Sequence, residues 1–148
     1  VKQQLSTLAR WWQSLRAADA ERLHDLADEA RRAGQPVVML LEGERGELDR
    51  DVELAVYRVA QEGLTNALQH ARECSTKVRV RYGADRVDVE VSTAGPVAAA
   101  AEPGRGLIRL RERVSLLGGE LRAEGRPEGG FVLEARIPSR GAQSRDAS

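Results

Sequence analysis

At 148 residues, with 23 Lys plus Arg balanced by 23 Asp plus Glu, the chain has the length of one domain and no net charge, which excludes the basic footprint of a direct nucleic-acid binder. Charged residues make up 31% of it, and the longest apolar run, Val37 to Leu41, is too short to span a bilayer. Cys74 stands alone and cannot close an internal disulfide, which fits a cytoplasmic setting, and one Phe, two Tyr and two Trp leave the core to aliphatic side chains.

The chain starts on Val1, as a piece cut from a longer protein would, and Val1 to Arg16 lacks the apolar stretch of a signal peptide. Lys2 to Arg16 and Ala20 to Arg32 both read as helix, the second ended by Gly34 and Pro36. Residues 1–33 are thus expected to be linker helices leading into a domain over 34–139. Val37 to Glu42 reads as a short strand, followed by a polar loop to Asp51. A long helix is expected from Val52 to Arg72, because Val52, Val56, Val59, Ala60, Leu64, Ala67 and Ala71 recur every three or four residues.

Two alternating segments follow, Val78/Val80/Tyr82 and Val87/Val89/Val91, with Gly83-Ala84-Asp85 short enough for a hairpin. Val97 to Pro103 reads as a short Ala-rich lid. A second amphipathic helix over Leu107 to Leu117 stops at Gly118-Gly119. Leu121/Ala123 and Phe131/Leu133/Ala135/Ile137 give two more half-buried strands, and the polar tail 140–148 is expected to be disordered. Period-two strands have one wet and one buried face, and the amphipathic helices can cover the buried one. The fold class expected is therefore α/β: a two-layer sandwich whose mixed, mostly antiparallel sheet is covered on one face by helices.

Three constellations carry chemistry. Glu62, Asn66 and His70 lie four residues apart on the long helix, so each step turns by only about 40° and the three form one ridge beside the apolar stripe. A hard cation such as Mg²⁺ wants oxygen ligands and shares substrate phosphates; Asn66 offers an amide oxygen, and Glu62 can hold a water or act as a base. Taken alone, the same spacing suits a solvated helix rim. Gly104-Arg105-Gly106-Leu107 is a Gly-x-Gly entering a helix, where free N–H groups favour a phosphate, although it is also a common loop–helix junction. Ser92 to Pro96 ends a strand at Gly95, which would let a flat base approach the backbone or simply make a turn. No Walker A loop is present.

Taken in order, these segments resemble the GHKL ATPases, in the form found in two-component sensor histidine kinases of the NarL/DesK type. Tyr57 to Glu62 through Asn66 to Ala71 is similar to the family's N-box, and Gly104 to Leu107 with Arg111 to Val114 and Leu117 to Gly119 is similar to its G2 box and following helix. Phe131 to Pro138 matches the usual last strand, so the resemblance covers roughly Gly34 to Ser139. It implies a Bergerat ATP-binding fold, with ATP and Mg²⁺ as cofactors and transfer of the γ-phosphate to a histidine. By that resemblance Asn66 ligates Mg²⁺ and Glu62 polarises a water or serves as base. His70 approaches the phosphates, Gly104, Arg105, Gly106 and Leu107 wrap the triphosphate, and Thr93 and Gly95 border the adenine. The implied partners are the dimerisation and phosphoacceptor domain of the same kinase, and a response regulator. The isolated domain would be a monomer and its parent, which could be an inner-membrane sensor, a homodimer.

One position departs from the pattern. The family's G1 box is Asp-x-Gly, and here Thr93-Ala94-Gly95 stands in its place. A hydrogen bond to a charged group contributes ~1.5–3 kcal/mol and a neutral one ~0.5–1.5, so the exchange implies ATP binding weaker by about five- to thirty-fold and less selective for the base. His24, in Leu23-His24-Asp25, is similar to the phosphoacceptor motif of the class. However, Gly34-Gln35-Pro36 follows too soon for the two-helix hairpin that motif needs, so the acceptor is expected outside this fragment. Two rival readings remain: a degenerate nucleotide-binding or interaction module without transfer activity, supported by Thr93, and a GHKL serine kinase of the anti-sigma type.

Overall fold

The structure is a computed structural model that describes residues 21–44, 46, 48–95, 105–127 and 129–140. The helix expected over Lys2 to Arg16, the lid from Val97 to Pro103 and the tail beyond Arg140 lie outside the described residues. In chain order the elements are α1 (Glu21–Arg32), β1 (Val37–Gly43), α2 (Arg50–His70), β2 (Thr76–Tyr82), β3 (Arg86–Thr93), α3 (Arg105–Leu116), β4 (Glu120–Gly125) and β5 (Phe131–Pro138).

Local chemistry sets the boundaries. α1 closes with Gly34 at φ 99° and the Gln35 N–H donating back to the Ala30 carbonyl, a left-handed C-terminal cap. α2 starts two residues before Val52: the Asp49 carbonyl accepts from the Val52 and Glu53 N–H groups, with no side-chain cap, and Asp51 and Glu53 place negative charge in the first turn. It also ends at His70, short of Arg72: Ala71 leaves helical geometry, and Glu73 takes φ 68°. α3 likewise starts earlier than expected, at Arg105, so that Gly106 falls inside its first turn.

The five strands form one sheet in the order β1-β2-β3-β5-β4. β1 and β2 pair in parallel, joined by α2 as a crossover, and every other pair is antiparallel. The hairpin expected at Gly83 to Asp85 is present, closed by the Gly83 N–H donating to the Arg86 carbonyl. The mixed, mostly antiparallel two-layer α/β arrangement is therefore the one the sequence predicts.

Val78, Val80, Val87, Val89, Val91, Leu133, Ala135 and Ile137 line the inner face and meet Val52, Val56, Val59, Ala60 and Leu64 of α2 in one aliphatic core. Leu23, Leu26, Ala27 and Ala30 of α1 belong to that same core. The second of the expected linker helices is thus packed as part of the domain, because its apolar residues recur at helical spacing and need a surface to cover.

Candidate functional site

α2 crosses the sheet at close range. Gly63 makes the approach possible: a Cβ at that position would stand 2.5 to 2.7 Å from the side-chain carbons of Val91 on β3. This contact fixes which side of α2 faces the sheet and hence where its neighbours point. Glu62 is half-buried and directed at the first turn of α3, where a Cβ on Gly106 would lie 2.8 Å from either carboxylate oxygen. The ridge residue from the long helix and the second glycine of Gly-x-Gly, 44 positions apart in the chain, are therefore in contact. Burial raises the Glu62 carboxyl above its ordinary value.

Asn66, one turn along, is half-buried, and His70, the last residue of α2, is exposed. Leu107 is buried in the hydrophobic core, so its side chain serves packing and its backbone is what remains for a ligand. Gly104 lies outside the described residues, as does the side chain of Arg105.

The third constellation lies where β3 ends, against the C-terminal end of α2. Gly95, at φ 121°, follows β3 and packs on the end of α2, where a Cβ would meet Cys74 Sγ at 2.8 Å and Ala71 Cβ at 3.8 Å. Thr93 lies on the inner face with Val87, Val89 and Val91; it is 5% exposed, and its Oγ1 has no hydrogen-bond partner. Gly130, at φ 102°, packs directly on the Thr93 carbonyl oxygen.

These features fit a nucleotide with Mg²⁺: an orphaned hydroxyl at the strand end, a glycine that leaves the carboxylate room at the helix start, and an amide on the ridge. Among the described residues no three His, Cys, Asp or Glu side chains converge on a metal position, so a cation here would depend on Asn66 together with the phosphates of its ligand.

Two buried side-chain amides near these residues escape sequence reading. Gln35, which reads only as part of the α1 stop, is 1% exposed. Its Nε2 donates to the carbonyls of Ala71 and Cys74 and to Thr76 Oγ1, and its Oε1 accepts from the Glu73 N–H. It therefore holds the turn that carries Cys74 under Gly95. Gln61, beside Glu62, is also 1% exposed, and neither of its amide atoms has a partner.

No protein-family model matches the chain. Among characterised proteins it is similar to the oxygen sensor histidine kinase NreB of Staphylococcus carnosus (strain TM300), 29% identical over 94 residues, covering 61% of this chain and 27% of that one. The chain thus spans about a quarter of that relative's length. Among solved structures it superposes on the nucleotide-free catalytic domain of the histidine kinase ThkA with TM-score 0.61 and 16% identity, over 83% of this chain and 95% of that one. The blue-light activated histidine kinase EL346 of Erythrobacter litoralis matches with TM-score 0.63 and 20% identity, over 92% and 51%. ThkA in complex with the response regulator TrrA matches with TM-score 0.62 and 17% identity, over 93% and 48%. The chain therefore carries the fold of a histidine kinase catalytic domain, and in its sequence, too, it is similar to the sensor histidine kinases.

Proposed function

We propose that the chain is the ATP-binding catalytic domain of a sensor histidine kinase. In the whole protein it moves the γ-phosphoryl group of ATP to a histidine on a dimerisation domain outside this fragment, for relay to a response regulator. The observation that carries this reading is the contact of the Glu62 carboxylate with Gly106, which joins the helix ridge to the Gly-x-Gly segment within the histidine kinase fold.

In this reading Asn66 supplies an oxygen to Mg²⁺, and the cation neutralises phosphate charge when bound. On this proposal Gly104 and Gly106 let the backbone approach the triphosphate, His70 approaches the phosphates, and Thr93 and Gly95 border the base. Glu62 is the base. Its burial raises its proton affinity, which suits a group that must take the proton from the accepting imidazole as the N–P bond forms and ADP leaves with the electrons of the broken P–O bond. That ThkA is found with a response regulator supports the proposed relay partner. Among the described residues no helix is long and apolar enough to cross a membrane, which suits a domain working in the cytoplasm.

The test is transfer in trans. The chain is mixed with ATP labelled at the γ-phosphate and with the dimerisation region of its parent. The expected product is an acid-labile phosphohistidine on that region, lost with Asn66→Ala. Nucleotide binding without any transfer would favour the degenerate module for which Thr93 speaks. An acid-stable phosphoserine on a partner would favour the serine kinase reading.

A further inference from the structure

Thr93 has more to say about which nucleotide enters. Its backbone is fixed by Thr76 and Phe131 on the two neighbouring strands, by Gly130 against its carbonyl oxygen, and through Ala94, whose N–H donates to the Ser75 carbonyl. A position so fixed leaves only the hydroxyl to adapt. That hydroxyl is buried and unpartnered. Its cross-strand neighbours, Thr76 and Phe131, carry no charge, and neither do Ala71 and Cys74 beside Gly95. The Thr76 hydroxyl is already engaged with the Gln35 amide and the Cys74 carbonyl, so it does not compete for Thr93.

We propose that Thr93 is the base-reading residue of the nucleotide site and that it makes the site accept 6-amino and 6-oxo purine nucleoside triphosphates alike, ATP and GTP. The proposal rests on the nucleotide-binding reading above and adds the substrate range. The reason is the donor–acceptor inventory. A hydroxyl carries one rotatable donor and two acceptor lone pairs, so it accepts from the amino group of adenine or donates to the oxo group of guanine. A carboxylate can only accept; facing the guanine oxygen it would set lone pair against lone pair in a buried place, where an unpaired charge is costly. Discrimination of this kind comes from leaving the wrong ligand's partner group unsatisfied, and Thr93 leaves neither unsatisfied.

The experiment is calorimetric titration of the full chain with non-hydrolysable analogues of ATP and GTP in the presence of Mg²⁺, for the native protein, Thr93→Asp and Thr93→Val. The native protein is expected to bind the two within about threefold of each other, since one neutral hydrogen bond serves both. Thr93→Val keeps the branched shape and is expected to weaken both by about two- to ten-fold, leaving their ratio unchanged. Thr93→Asp is expected to widen the ratio in favour of ATP by about ten-fold or more. Tight ATP binding with GTP about ten-fold weaker in the native protein would overturn base tolerance and leave the nucleotide site standing, as would a Thr93→Val variant that binds both as before. Binding of neither nucleotide would overturn both.

Discussion

The two adjacent residues Gln61 and Glu62 show how much a single helix turn decides. Gln61 is buried with both amide atoms unpartnered, a condition that costs a folded protein about 1–3 kcal/mol. Gln61→Met keeps the length and most of the volume while removing the orphaned atoms. It is expected to raise stability by about 1–3 kcal/mol in urea unfolding; a loss of stability would mean that the amide is in fact satisfied. Glu62 tests the electrostatics. Its carboxyl is raised above the ordinary 4.5 by burial, so between the unfolded and folded values the native state holds the extra proton. Stability therefore falls as pH rises through that window and levels off above the folded value. Glu62→Gln is expected to flatten that slope, read as the urea midpoint against pH; an unchanged slope would show that Glu62 is not its source. The Glu62-Asn66-His70 ridge was legible from spacing alone, whereas the burial of Gln61 was not. Helical period marks which positions face inward and cannot say that one of them tolerates an amide.

At the scale of elements, two glycines of similar appearance do different work. Gly63 lets α2 lie on β3, and Gly106 lets α3 begin against Glu62. Gly63→Ala forces a methyl into Val91, an overpacking of about 1–3 kcal/mol only partly offset by the ~0.5–1 kcal/mol that alanine gains in a helix, so a net loss of about 1–2 kcal/mol is expected in the unfolding midpoint. Gly106→Ala meets only the tip of a flexible carboxylate, which can swing aside; stability is expected to stay within about 1 kcal/mol while nucleotide affinity drops. Equal stability losses for the two would contradict this division. Most elements were legible from periodicity and turn residues. The starts of α2 and α3 moved because the backbone hydrogen bonds to the Asp49 carbonyl and the helical geometry at Arg105 extend beyond the apolar stripe. Gln35 stayed hidden because its partners lie 36 to 41 residues away.

For the whole molecule, the sheet separates two kinds of chemistry. Its inner face is aliphatic and supports the candidate site, while its outer face pairs charge across strands. There Arg79 Nε stands 2.6 Å from Glu42 Oε1, a hydrogen bond that holds the Glu42 carboxyl below its ordinary value, and Arg126 reaches Glu90 at 3.8 Å. The alternation that predicts this division was plain in the sequence, but the parallel pairing of β1 with β2 is a property of the α2 crossover and not of either strand. The contact of the helix ridge with the start of α3, beside a strand end that carries an orphaned hydroxyl, underlies the proposed magnesium-dependent nucleotide binding. Its most direct measurement is titration of the chain with a non-hydrolysable ATP analogue, with and without Mg²⁺, beside Asn66→Ala. Saturable one-site binding that needs Mg²⁺ and is lost in the variant is expected. Absence of binding, or binding indifferent to both the cation and Asn66, would contradict it.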